Sequence, residues 1–402
     1  MTDHAGCERP LDGEVDVEAG PAWDAALPSE LTQVIMGHLP LEDRGRWSLT
    51  NSVTRAFAAA QPWATPAGQT QGLRSRGDLD FRTIYTQHEL DESLNDPVPL
   101  HFAPGGGDRA EPLTLYRPAA GGTIRLVGGI DGKPLAELNG GVVDAFGGAV
   151  ISVMKGGRAS LCDATVTDKY AGYCEIWGGG TVVHYHGGTG HCYEGGTIVN
   201  HLATNYLAVR NGKVVNFYSG SADAYERSWF ATVHGGQVHA WGDTLVEELT
   251  DGLVVLHESA ALVSVRGGEV RHSSSVPITE VSGGVVELNA GAAVDSVTGG
   301  RVDARGGSAV HAATGGTVHV EARSVLHHAA GNTVVHAHGG STVTAAGDAQ
   351  VEAYDGSHVT VSENARVHAY GAATVIAHGG TVHLHGDGVQ LADRGAHVIT
   401  EL

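Results

Sequence analysis

Apolar residues recur at every eighth position over most of this chain. Stepping by eight from Leu126 meets Val142, Val150, Val166, Cys174, Val182, Ile198, Tyr206, Val214, Phe230 and Val238. The same comb runs on through Val302, Val310, Val318, Leu326 and Val334, interrupted only at Pro134, Arg158, Gly190 and Ala222. One extra residue near Gly339-Gly340 resets it, and it resumes at Val343, Val351, Val359, Val367 and Val375. Many of these positions open a Val-x-Ala triplet, which on an extended strand sets two side chains on one face and one on the other.

A small residue precedes most comb positions by two. From 236 onward glycine takes every second such place (Gly236, Gly252, Gly268, Gly284, Gly300, Gly316), with Thr244, Ala260, Val276, Ala292, Ser308 and Ser324 between them. The octads therefore alternate in kind, and the true repeat is 16 residues. A strand of four or five residues followed by a tight turn fills one octad. Such a strand buries its apolar face only by stacking on copies of itself. The pattern predicts a mainly β protein: a parallel β-solenoid of about 16-residue coils, two octads and two facing sheets per coil, over residues 124–402. In the second octad Val246/Leu249, Leu262/Val265, Ile278/Val281 and Val294/Val297 stand three apart, which predicts a bulge or bend there.

Ahead of the comb the pattern changes. Residues 1–24 are acidic and polar and read as a disordered tail. Residues 25–60 hold Leu27, Leu31, Val34, Ile35 and Leu39 at helical spacing, then Trp47, Leu49, Val53 and Phe57. Pro28 suits a helix start and Pro40 a helix end. Two or three short helices in this span need a partner to bury their apolar face. Residues 61–123 read as linker and solenoid cap, with a helix expected over Asp78–Leu94.

The stretch Leu27-Pro28-x-Glu30-Leu31, followed by Ile35, Leu39-Pro40-Leu41, Asp43, Arg46, Leu49 and Arg55, resembles an F-box. The resemblance implies a small helical module that docks a Skp-type adaptor of a cullin ubiquitin ligase. Leu27, Pro28, Leu31, Ile35, Leu39, Pro40 and Leu41 would be its adaptor-docking residues. It further implies that the solenoid holds an unidentified protein ligand, and that the source is a eukaryote or a virus infecting one. A structural or adhesive β-solenoid rod, as in a surface, spike or virion component, is the alternative from another class.

Composition narrows the choice. The chain has 59 glycines among 402 residues, without a Gly-X-Y period, and only 13 prolines, which excludes collagen. Its formal charge of −21 disfavours nucleic acid and anionic membranes as partners. The expectation is therefore no nucleic acid and no membrane. The opening residues lack the basic and apolar regions of a secretory signal, and no run approaches the length of a membrane span. A cytoplasmic or nuclear protein is expected, with a virion possible.

Candidate chemistry is sparse. His184, His186, His191 and Cys192, near Cys162 and Cys174, are metal-ligand types, yet Cys174 and Cys192 fall on inward positions, where cysteine acts as a small core hydrophobe. Asp144, Asp163, Asp168, Asp295 and Asp303 are scattered, unlike the focused acidic clusters of solenoid polysaccharide-cleaving enzymes. No phosphate loop, nucleophile elbow or zinc-protease motif occurs. No catalytic residue, no metal site and no cofactor are expected. Of 24 histidines, 12 lie in residues 311–397, with His311, His319, His368 and His383 at outward positions.

Overall fold

The computed structural model describes residues 82–84, 86–95, 100–102, 113–120, 122–127 and 135–401. The expected tail at 1–24 and the helical module at 25–60, with Leu27, Pro28, Leu31, Ile35, Leu39, Pro40 and Leu41, lie outside these residues. The described chain is a parallel β-solenoid of about 17 turns with coils of about 16 residues. It divides into two compact units, Met1–Val183 with Glu194–Gly196, and His184–Tyr193 with Thr197–Leu402.

In the second unit each strand pairs in parallel with the strand one coil later. Val238, Val254, Val270, Val286, Val302 and Val318 follow one another down the first sheet. Ile278, Val294, Val310 and Leu326 do the same in the second. All of these side chains are buried, and together they form a core only two side chains thick. Val302 thus lies beneath Val318 and opposite the sheet that holds Val310, as two sheets per coil require.

The two octads differ for a physical reason. From Gln237 to Val320 the turn before each first-sheet strand carries a left-handed glycine, such as Gly252, Gly268 and Gly284. The turn before most second-sheet strands carries a buried small residue, such as Thr244, Ser308 or Ser324. The hydroxyl of Thr244 donates back to the carbonyl of Trp241 at 2.8 Å and closes that turn. Second-sheet strands such as Leu245–Leu249 bury Val246 and Leu249 and turn Glu247 and Glu248 outward, so the spacing of three does mark a bend.

At Gly268 the demand on glycine is twofold: φ is +70°, and a Cβ would lie 2.6 Å from the Gly252 carbonyl oxygen of the coil before. Gly291 has φ +83° but open space around it. Gly268→Ala is expected to lower unfolding free energy by about 3 kcal/mol, and Gly291→Ala by about 1 kcal/mol. Urea unfolding of the two variants measures the difference; equal losses would show that backbone conformation alone matters.

The comb misplaces the register in a few coils, because coil length varies by one residue. Val318 pairs with Val335, so Val335 is buried and Val334 is not. The extra residue sits in the turn Ala330–Thr333, one turn earlier than the expected Gly339-Gly340. Likewise Leu207, Val143, Ile151 and Ala159 are the interior residues, rather than Tyr206, Val142, Val150 and Arg158. That shift explains how an arginine and an exposed tyrosine came to fall on the comb.

In the first unit the parallel sheet includes Arg82–Ile84, which pairs with Leu100–Phe102. The helix expected over Asp78–Leu94 is limited to Gln87–Ser93. Thr86 caps it reciprocally with Glu89, and Leu90 and Leu94 are fully buried. Arg82–Ile84, within the span of the expected helix, is a strand instead.

Candidate functional site

Parallel, in-register strands bring equivalent positions of successive coils ~4.8 Å apart, which suits face-to-face stacking of rings. On the outer face of the first sheet, in the second unit, two columns use this spacing. One column follows the central outward position: Asp303, His319, His336, Glu352, His368 and His383. The other follows the residue just after the inward pair: Arg305, Glu321, His338, Tyr354, Tyr370 and His385.

Both columns are stacked. His338, Tyr354, Tyr370 and His385 have successive centroid separations of 4.3, 5.2 and 4.4 Å, with planes within 13°. His319 stacks on His336 at 4.6 Å, and His368 on His383 at 4.4 Å. Glu352 joins the columns. It accepts from the Tyr354 hydroxyl at 2.7 Å and from His336 Nδ1 at 2.9 Å. The Tyr354 hydrogen bond, then His336, hold its carboxyl below the usual range, while burial opposes them. The same bond pushes the Tyr354 phenol up to about 12, so it stays a donor. Burial, and then His336, hold His319 below the ordinary imidazole value. His368 Nδ1 and His385 Nε2 lie 3.0 Å apart, one donating to the other. A shorter stack of the same kind, Tyr225, Trp241 and His257, lies earlier in the unit at 5.0 and 4.9 Å.

The arrangement gives a strip of ring edges, because the stacked faces cover one another. It offers imidazole nitrogens, phenol hydroxyls and one fixed carboxylate to solvent. Of the residues marked in the sequence, Asp303, His319, His368 and His383 belong to it. His311 lies on the other sheet, where its Nδ1 meets Asp295 at 2.8 Å. His336, His338, Tyr354, Tyr370 and His385 complete it, and a Val-x-Ala triplet followed by His, Tyr or Trp is the sequence mark of the corner column.

The histidine–cysteine cluster does not converge. His184 meets Asn200 at 3.2 Å and His191 meets the Tyr193 hydroxyl at 2.7 Å. Cys192 is fully buried, and burial pushes its thiol up to about 12, far from a thiolate ligand. Cys174 is buried as expected. Among the described residues no group of three or more His, Cys, Asp or Glu side chains is placed to hold a metal ion. Among the scattered aspartates, Asp303 is bound to Arg301 at 2.8 Å.

A separate polar cluster occupies the first unit. Glu175 accepts from Arg158 at 2.7 Å, the Tyr173 hydroxyl at 3.0 Å and Ser160 at 3.2 Å, with the Arg158 guanidinium 4.9 Å above the Tyr173 ring. A buried carboxylate with three donors is a stable structural arrangement.

No protein-family model matches the chain, and no curated protein or solved structure matches it significantly. Among the described residues no helix is long and apolar enough to cross a membrane.

Proposed function

We propose that the chain is a non-catalytic binding scaffold, with the ring-lined outer face of the first sheet as its recognition surface. One observation carries this reading: six imidazoles and two phenols stand on a single face between Arg301 and His385. Stacking spends the ring faces on rigidity and leaves polar edges outward. A surface that only needed solubility would be served by any charged residue at these places.

The F-box-like segment would couple this scaffold to a Skp-type adaptor, making the solenoid the substrate-holding part of a ubiquitin ligase. The adhesive or structural reading shares the scaffold and drops the adaptor. It is favoured by the face itself: among the described residues, every exposed large apolar side chain lies elsewhere than on strands Arg301–His385 of the first sheet. Protein interfaces usually centre on such side chains.

Two measurements test the proposal. Tyr354→Ala with Tyr370→Ala is expected to lower binding to the natural ligand by ten-fold or more, while Glu247→Ala with Glu248→Ala on the other sheet changes it less than two-fold. Equal effects would remove the face from the proposal. For the adaptor, Leu27→Ala with Pro28→Ala is expected to abolish co-purification with a Skp-type protein. Failure of the unaltered chain to co-purify would leave the adhesive scaffold.

A further inference from the structure

Resting on the scaffold reading, we infer that this face is an acid-gated binding surface for a linear acidic polysaccharide. Charge is the first argument. The whole chain carries a formal −21. Between Arg301 and His385 the face holds three guanidinium groups (Arg301, Arg305, Arg366) against three carboxylates (Asp303, Glu321, Glu352), and is formally neutral while its imidazoles are neutral. Protonation of His319, His336, His338, His383 and one ring of the hydrogen-bonded His368/His385 pair, which holds one extra proton between its two facing nitrogens, would take it to about +5. Histidine is the side chain that ordinarily makes this change between pH 7 and 5.

The neighbours of each imidazole set how that charge is held. His319 lies between Asp303 and His336, with Arg301 and Glu321 nearby. His336 lies between His319 and Glu352. His368 lies between Glu352 and His383, and bonds His385. His383 faces Ile399, and His385 is in register with Glu401. His338 stands between Glu321 and Tyr354. Arg301 is bound to Asp303, and Arg305 lies 3.4 Å from Glu321. Those permanent charges are therefore already balanced on the face itself. Like charges at stacking distance repel, and an anion laid along the column relieves that repulsion. Protons and anion then bind with positive coupling, each raising the affinity for the other.

Geometry selects the kind of anion. Successive coils repeat at ~4.8 Å, close to the length of one sugar ring, so a linear polymer with a charge per sugar can follow the columns in step. The polar ring edges, together with Thr317, Gln350 and Thr381 on the same strands, suit a hydroxyl-rich chain. A nucleic acid would look for open ring faces and permanent basic charge. Here the faces are stacked on one another, and two of the three arginines are ion-paired.

The test uses the full chain with three immobilised probes, heparin, polygalacturonate and neutral dextran, and double-stranded DNA as a fourth, at pH 7.5 and 5.5. Heparin and polygalacturonate are expected to bind at least ten-fold more tightly at pH 5.5, with affinity falling as salt rises, and dextran at neither pH. His336→Gln/His368→Gln/His385→Gln should remove most of the gain, with melting at pH 5.5 checked to show that it is folded. His311→Gln/His327→Gln/His328→Gln, an equal loss of imidazoles from the other sheet, should retain it. If the first triple variant fails to fold, His338→Gln alone should still reduce binding at pH 5.5 about two-fold. No acid gain, an equal effect of the two triple variants, or DNA binding as tight as heparin would overturn the inference. No binding of heparin or polygalacturonate at either pH would overturn this inference alone and leave the scaffold reading to its own test.

Discussion

Val302→Asp is expected to lower the unfolding free energy by several kcal/mol and to fray the coils on either side before the rest of the second unit. Val302 is fully buried, with Val286 and Val318 as its register partners on the two adjacent strands. The core is two side chains thick there, so a carboxylate at 302 has neither solvent nor a partner. An unpaired buried charge is costly enough that the group takes up a proton instead, which caps the penalty at about 4 kcal/mol. Each coil is stabilised mainly by its two neighbours, so the damage propagates by nearest-neighbour coupling. Hydrogen exchange should show protection lost first at Val285–Leu288, Arg301–Ala304 and Thr317–Val320. The second-sheet strands Ala293–Val297 and Ala309–Ala313, which close the same coils, should follow. Uniform loss of protection from Thr197 to Glu401 would instead show a single cooperative block.

The architecture was readable from the sequence because its period is rigid. Val302, Val310 and Val318 repeat at a spacing that only strand, turn and strand can satisfy, and alternating Gly and Ser/Thr/Ala turns separate the two sheets. Register was less readable, since coils of 15 and 17 residues keep the same composition. The single extra residue at Ala330–Thr333 leaves valine at both 334 and 335, so the pattern does not say which faces inward. The stacked face depends on that register. His319 meets His336 only when a 17-residue coil is allowed, and Tyr370 meets His385 only with one of 15. A comb of fixed period finds the outward histidines singly and misses that they touch. The expected helix over Asp78–Leu94 holds over Gln87–Ser93 and gives way to a strand at Arg82–Ile84 for a local reason: that segment has a parallel partner strand in Leu100–Phe102. A sequence window sees neither end of such a pairing.

The fold should also become acid-sensitive through one interior residue, His272. It occupies an inward position between Leu256 and Leu288 and has no exposure to solvent. Its ring is held as a neutral tautomer, with Nε2 3.2 Å from the Ala293 carbonyl as donor and Nδ1 accepting from the Ser274 amide at 3.3 Å. Burial pushes its folded value down to about 4, opposed by the hydrogen bond to Ala293. The unfolded chain would titrate near the ordinary value of about 6.5. Because the folded value is the lower one, the neutral ring's contribution is complete above pH ~6.5. It is lost as pH falls from there through 4, where the unfolded state binds a proton that the folded state refuses. The gap between the two values corresponds to about 3 kcal/mol once pH is below both. His272→Leu matches the leucines above and below it but leaves the Ser274 amide and Ala293 carbonyl without these bonds, so it is expected to be less stable than the native chain at pH 7.5 by about 2 kcal/mol. At pH 4.5 the difference should close or reverse, since the leucine chain has no such proton to exclude. Melting temperatures of both chains between pH 7.5 and 4.5 measure this directly. Parallel curves for the two chains would mean that the acid sensitivity resides elsewhere, with the outer-face histidines next in line.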